Sequence, residues 1–434
     1  MTTLKILKVH SWRGRKLIDR LLERGEGVLD RKSLKEVGKI VDKVRRGGDR
    51  ALLRAVRRYD DVHVSSISEL RRHPGRELSE EELPAGYEAA LERAIQAVER
   101  YHEGQLHEGF TLAKNGVEIE ELRLPLRRVG IYVPGGRAAY PSTVLMTVIP
   151  ARLAGVEEIA VATPLRAWEG NPALRYTLER LGVHEVWGLG GAHAVAAFAH
   201  GTETLERVDK IVGPGNRWVT AAKYLVSTGV GIESLAGPSE VVIVATAGAD
   251  PAWVAADLLA QAEHDPQALA LLLTDDRALA KAVRAEVDEQ LSHLATAETA
   301  RASLAGQGAA LLVGDMEEAY SLVEALAPEH LQLVGEEAEA LAPRVRSAGA
   351  IFVGAATPEV FGDYLAGPSH VLPTGGTARF ASALGVEDFI RRSHRIRFDR
   401  AAAGRSAAAA AVLADTEGLP AHAAAARRRL REET

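Results

Sequence analysis

The residues best suited to chemistry fall in a few short clusters. In the run 257–266, Asp-Leu-Leu-Ala-Gln-Ala-Glu-His-Asp-Pro, Gln261 and His264 stand three apart in the predicted last turns of a helix that Pro266 stops. That spacing puts an amide oxygen and an imidazole on one face, where both can converge on a cation such as zinc. Two ligands do not make a site, and an isolated helix-end pair meeting water has the same spelling. Ala327-Pro328-Glu329-His330 sets a carboxylate beside an imidazole at a predicted helix-to-strand turn. Imidazole takes a proton from an alcohol and a carboxylate activates water, so this pair carries acid–base chemistry unless it is a plain surface pair. In the loop 362–373, Asp363 and His370 are polar groups held among Gly and Pro. Such a setting favours function: Asp363 could complete a metal site and His370 could contact substrate. Glu417-Gly418-Leu419-Pro420-Ala421-His422 interrupts the tail in the same style, where His422 is either functional or a solvent-facing helix-start residue.

Composition narrows what these clusters can do. The 434 residues exceed one simple core, so two or more domains are expected. An apolar fraction of 47% with 26% charged residues fits a globular protein. The net charge of −6, with both signs mixed along the chain, offers no general attraction to nucleic acid or anionic membranes. Apolar runs are too short to span a bilayer, and the start, Met1 to Lys8, lacks a signal-peptide core, so the expected location is cytoplasmic. Cysteine is absent, which excludes disulfides, thiolate ligands and a cysteine nucleophile. A transition-metal site must then use His, Asp, Glu, Gln or water.

The elements that must position these groups change character along the chain. Residues 1 to about 110 read as helical: Asp30 opens a helix to about Arg46, Gly47-Gly48 ends it, Asp49 starts another, and Pro84 to Leu106 gives a third. From Leu122 strands alternate with helices: 128–133, 158–162, 185–187 and 210–212 are strands, with helices at 143–153, 172–181, 192–199 and 218–226. A second series follows, with strands at 240–245, 269–273, 309–313, 331–334 and 350–353. This alternation predicts an α/β fold with two doubly wound, incomplete Rossmann-like parallel-sheet domains and helical N- and C-terminal extensions. No residue-level repeat proves a duplication. Ala401 to Leu430 is an alanine-rich helical tail.

Parallel sheets bind ligands at the carboxyl ends of their strands. Four glycine-rich loops are expected there: Val133-Pro134-Gly135-Gly136, Gly188 to Ala192, Gly213-Pro214-Gly215-Asn216 and Ala236-Gly237-Pro238-Ser239-Glu240. None completes a dinucleotide fingerprint, because His193 stands where a third glycine should follow Gly188 and Gly190.

Together, Tyr132-Val133-Pro134-Gly135-Gly136, Gly213 to Asn216, Gly237-Pro238-Ser239-Glu240, Gln261-Ala262-Glu263-His264, Pro328-Glu329-His330 and His370-Val371-Leu372-Pro373-Thr374 resemble the histidinol dehydrogenase family, most strongly from Val129 to His422. The resemblance implies NAD-dependent four-electron oxidation of L-histidinol to L-histidine through L-histidinaldehyde, the final step of histidine biosynthesis, with one zinc per subunit positioning substrate. It implies Gln261, His264, Asp363 and His422 as zinc ligands, the last crossing between subunits of a homodimer. Glu329 and His330 match the catalytic pair; Ser239, His370 and Glu417, with His330 and the metal ligands, match substrate contacts; Tyr132, Asn216 and the position of His193 match NAD contacts. Three departures stand out: His193 replaces a usual Gln, Ser369 a usual Asn, and Glu233-Ser234 a common Asp-Met pair. The organisation expected is an N-terminal helical extension over 1–26, a first α/β domain from 27–131 plus 241–384 carrying most metal and catalytic residues, a second from 132–240 with the NAD loops, and a helical tail over 385–434 exchanged with the partner subunit.

Other functions compatible with these residues are a related zinc- and NAD-dependent dehydrogenase of another small polar alcohol, a metal-dependent hydrolase with Glu329 as base, and a zinc-stabilised binding protein. Gln, Asp and His ligands also suit manganese or cobalt.

Overall fold

The computed structural model describes residues 4–27, 29–74, 83–135 and 140–430. Two six-stranded sheets carry the chain. The first runs in the order Ile6–Lys8, Ala309–Leu312, Leu269–Thr274, Glu240–Ala245, His330–Val334, Ala350–Val353, with every neighbouring pair parallel. Its central strands are near-continuous apolar runs because helices cover both faces; every residue of Glu240–Ala245 and Leu269–Thr274 is buried. The second sheet runs Arg71–Arg72, Glu185–Gly188, Glu158–Thr163, Arg128–Tyr132, Lys210–Val212, Gly231–Ile232, parallel except for the edge pair at Arg71–Arg72. Counted from the first central strand of each, both sheets share one order: third, second, first, fourth, fifth. That is the incomplete doubly wound pattern, and its crevice lies between first and fourth strands.

The packing corrects the expected grouping of segments. Helix Arg31–Ala55 lies on helices Gly191–His200 and Arg217–Val226 of the second sheet. Its Val37, Val41 and Val44 share a core with Ala192, Val195 and Val219. Strand Arg128–Tyr132 is central in that same sheet. Helix Arg31–Ala55, helix Tyr87–Glu103 and strand Arg128–Tyr132 therefore pack with the second sheet rather than with the first. The amino terminus is likewise more than a helical extension, since Ile6–Lys8 completes the edge of the first sheet beside Ala309–Leu312. Three residues are too few for period-two alternation to be legible.

The segment after 385 is also not all helical. Ile390–Phe398 is a strand, antiparallel to Val117–Pro125, which in turn pairs with Thr111–Lys114. Its composition is charged rather than alternating apolar, and its stability comes from its partner. Arg395 lies opposite Glu120 and bonds it at 2.8 Å. The tail then follows as helices Arg400–Thr416 and Pro420–Arg427. Elsewhere the expected elements form where expected. Asp30 caps its helix through Lys32 and Ser33 N–H, both at 2.9 Å. Gly48, at φ 47°, breaks the helical path at the foreseen Gly47-Gly48 pair.

Candidate active site

Strand His330–Val334 lies beside Glu240–Ala245, with Val241 opposite His330. Glu329 and His330 thus sit at the amino edge of the first sheet, as does the loop 236–239. As the sequence led one to expect, that loop follows the carboxyl end of a strand, Gly231–Ile232 of the second sheet, and it then feeds Glu240–Ala245 of the first. Helix Pro251–Ala262 runs back against the strands, which returns Gln261 and His264 to the same amino edge.

One residue holds both Glu329 and His330. Glu240 N–H donates to Glu329 Oε2 at 2.8 Å, and His330 Nδ1–H donates to Glu240 carbonyl oxygen at 2.9 Å. A carbonyl can only accept, so Nδ1 carries the proton and Nε2 keeps its lone pair. Nε2 has no hydrogen-bond partner and lies 3.9 Å from Asp363 Oδ1. Burial first, then the nearby charges of His264 and His370, lower the His330 imidazole to about 4 despite its bond to Glu240, so at neutral pH it is a free base. Glu329 is raised well above the ordinary carboxyl value, chiefly by burial and then by the charge of Glu240.

Around this pair the polar groups are short of partners. Helix Glu359–Tyr364 packs against helix 251–262 and carries Asp363 on one turn and Glu359 on the other. Burial raises Asp363 to about 7 and Glu359 well above its usual range. Glu359 Oε2 lies 3.9 Å from His330 Nδ1 and has no hydrogen bond. Gln261 is 1% exposed, with neither amide atom bonded. A buried polar group left so costs about 1–3 kcal/mol unless a ligand completes it. His370 is lowered to about 4 by burial, against opposing bonds to its own backbone and that of Ser142; its Nε2 is also without a partner. Ser142 begins helix Pro141–Leu153, so the second domain closes over this edge. His264 opens onto solvent, yet enough protein surrounds it that desolvation depresses its imidazole.

Sequence reasoning missed Glu359, Asp257 and Gln332. Gln332 Nε2 donates to Asp257 Oδ2 at 2.8 Å, tying the strand of His330 to the helix of Gln261. Asp257 and Gln332 are buried polar residues on predicted elements, and the Asp257 carboxylate on the inner side of its helix was the signal available; Glu359 is buried on a short helix that no sequence pattern announces.

The carboxyl edge of the second sheet is different in kind. Tyr132 is 3% exposed, its hydroxyl accepts from Gly191 N–H at 3.0 Å, and burial pushes it up to about 12. His193 is 1% exposed; its Nε2 meets Asp60 Oδ2 at 2.8 Å and its ring stacks on Tyr59. Asn216 is exposed and caps its helix through Trp218 and Val219 N–H. Gly213, at φ 113°, approaches the Tyr132 carbonyl where no side chain would fit. Its N–H donates to Glu233 Oε1 at 2.8 Å, and Lys223 Nζ reaches the same oxygen at 2.6 Å. Gly136 lies outside the described residues.

Of the remaining candidates, Ser239 stands next to Glu240, where its carbonyl accepts from Leu269 N–H. Glu417 and His422 are exposed on the tail, which packs on strand 390–398 and not on this cleft in the single chain. Among the described residues no group of three His, Asp or Glu side chains forms a metal cluster. The donors this chain does bring to the edge, the Gln261 amide, the His264 imidazole and the Asp363 carboxylate, are of the types zinc accepts, and the unbonded Gln261 fits such a role.

The profile of the family described as histidinol dehydrogenase matches residues 24–430. A histidinol dehydrogenase of Acinetobacter baylyi is 45% identical over 93% of this chain and 94% of its own. One from Caulobacter vibrioides is 46% identical over 91% and 92%. A crystal structure of histidinol dehydrogenase from Elizabethkingia anophelis superposes with a TM-score of 0.88 at 31% identity, covering 99% of this chain and 98% of that one. An acetylating aldehyde dehydrogenase from Geobacillus thermoglucosidasius, 15% identical with a TM-score of 0.50 over 89% and 96% of the two chains, shares the fold alone. Two Rossmann-like domains closing on a buried Glu–His pair, read with these relatives, define the class: the protein is an enzyme, a dehydrogenase. The chain belongs to the histidinol dehydrogenase family. Among the described residues no helix is long and apolar enough to cross a membrane.

Proposed function

We propose that the protein oxidises L-histidinol to L-histidine through L-histidinaldehyde, the last step of histidine biosynthesis, with NAD as the oxidant of both half-reactions. The observation that carries this reading is the set of buried polar atoms at one edge with no protein partner: both amide atoms of Gln261, Nε2 of His330 and of His370, and Oε2 of Glu359. An amino alcohol bearing an imidazole supplies donors and acceptors for such a set. Zinc, when bound, supplies a redox-inert centre that holds and orients the substrate. Gln261, His264 and Asp363 would hold it together with His422 of the partner subunit. Ser239 and His370, with Glu417 of the partner subunit, would contact substrate, and Tyr132, Asn216 and the His193 loop would shape the NAD site. A homodimer is supported by the apolar residues the single chain leaves uncovered, Val412 at 64%, Leu413 at 66% and Ile396 at 61% exposure.

In the first oxidation His330 Nε2 takes the hydroxyl proton while the carbinol C–H bond breaks and its hydride reduces NAD. Glu329, as the carboxylate, then takes a proton from water as the water oxygen bonds to the aldehyde carbon, and His330 returns the proton it took to the aldehyde oxygen, which leaves a hydrate and a free imidazole. His330 takes a hydroxyl proton of the resulting hydrate, the second C–H bond breaks, and a second NAD is reduced. Each step releases one NADH, four electrons in all, and the water oxygen remains in the carboxylate. Substrate held at one site need not leave between steps, so proximity favours the second oxidation. No cysteine is available, so a hydrate replaces a thioester.

The test follows NADH formation from L-histidinol with and without a chelator. Two NADH per histidinol, lost on chelation and restored by zinc, is expected. Turnover of another small polar alcohol but not histidinol would select the related dehydrogenase, and turnover without nicotinamide a hydrolase. Glu329→Gln should impair aldehyde oxidation more than alcohol oxidation; equal loss overturns that division of roles. Co-expressed His422→Ala and Glu329→Gln chains should recover activity that each lacks, if the site is shared between subunits.

A further inference from the structure

The groups that hold Glu329 and His330 are themselves held from the other end of the chain. Glu240 is 3% exposed at the start of its strand, and the ladder to 330–334 begins one residue later, at Val241 and His330. The N–H and C=O of Glu240 are thereby left for side chains, and they take Glu329 and His330. The Glu240 carboxylate is gripped by Arg24 through two parallel bonds, Nε to Oε1 at 2.6 Å and Nη2 to Oε2 at 2.7 Å. This is the two-pronged geometry that only a guanidinium provides. Both side chains are largely buried, 12% and 4% exposed.

Arg24 holds a second point. Its Nη2 donates to the Leu326 carbonyl at 2.7 Å. Leu326 precedes Ala327, which sits at φ 44°, a left-handed conformation costly for alanine, in the turn that delivers Glu329. A third contact reaches the loop of His370: Gly375 N–H donates to Glu240 Oε1 at 2.9 Å. A buried ion pair is a poor source of stability beside apolar residues of equal volume. Apolar residues would grip neither the turn nor the loop.

We propose that Arg24 and Glu240 are the positioning pair of the reaction, fixing Glu329, His330 and the His370 loop relative to one another. The proposal rests on the acid–base roles given above to Glu329 and His330. Neither Arg24 nor the Glu240 side chain touches the reacting atoms; both act through the backbone of Glu240 and the turn at Ala327.

Arg24→Met, Arg24→Lys and Glu240→Gln test this in the full-length, zinc-loaded protein. Arg24→Met should lower kcat for histidinol roughly 100-fold, the scale of an ångström of misplacement, with KM for histidinol nearly unchanged. Arg24→Lys, which keeps the charge without the fork, should recover part of the loss. In a His330→Asn background Arg24→Met should cost several-fold less, the remainder falling on Glu329 and the His370 loop. Wild-type kcat in Arg24→Met, or the same loss with and without His330, overturns the proposal. Nitrogen-15 NMR of the His330 ring gives a readout independent of turnover. The wild type should show the Nδ1–H tautomer and Arg24→Met a mixture; one unchanged tautomer overturns the proposal. If the wild type forms no NADH from histidinol, the proposed reaction fails while the tautomer shift still decides the positioning role. Should Arg24→Met not fold, Arg24→Lys and Glu240→Gln are read by the same two measurements.

Discussion

The two sheets share a strand order and are put to work at opposite ends. The first gathers its chemistry at the amino edge, where Glu329, His330, Gln261 and Glu359 are buried and several of their polar atoms lack partners. The second presents its carboxyl edge, where Tyr132, Asp60 and Glu233 satisfy the loop amides of Gly191, Gly190 and Gly213 from within. Reactive groups are kept incomplete so that a ligand completes them. A surface for an extended ligand has its loops tied down so that their shape is fixed beforehand, which lowers the ordering cost of binding. Under the proposed function one topology serves as reactive half and as cradle, and topology alone does not say which.

Replacing His330 by Asn should separate the halves most sharply. We expect kcat to fall by about 10²- to 10⁴-fold, the usual worth of a general base, with NAD affinity unchanged by calorimetry. An equal loss of NAD affinity would blur the division. Next in size is Lys223→Met, which strands Glu233 in a pair whose side chains are both 3% exposed. Breaking a buried pair costs about 3–5 kcal/mol, so thermal unfolding should shift clearly and KM for NAD should rise more than KM for histidinol. His193→Phe keeps the stacking on Tyr59 but loses Asp60, and should raise KM for NAD by roughly tenfold, the worth of one hydrogen bond to a charged group, with kcat retained. A fall in kcat instead would move His193 to the reactive half.

The smallest effect is expected from His102, buried on helix Tyr87–Glu103 outside both edges, with Nδ1–H donating to Val98 carbonyl oxygen at 2.9 Å. Burial lowers its imidazole below the ordinary 6.5. The unfolded chain therefore takes up the proton first, and stability declines as pH falls below 6.5. His102→Leu should lose that part of the pH dependence in thermal melts, which gives a control for buried imidazoles without a catalytic role.

The order of residues by itself determined the element types and the inventory of reactive groups. Short, bounded apolar runs such as Val241 to Ala245 and Leu269 to Leu273 read as buried strands, and Pro266, Gly48 and Asp30 mark helix limits through local backbone chemistry. It also made the Gln261, Glu329 and Asp363 clusters visible, because their spacing lies within one turn or loop. Only the tertiary structure decided that helix 31–55 belongs to the second sheet and that strand 390–398 exists beside 117–125. It alone brought Arg24 to Glu240, across 216 residues, and turned the amino edge of one sheet toward the carboxyl edge of the other. Such pairings depend on which distant face offers complementary shape and charge, a quantity that no local spacing contains.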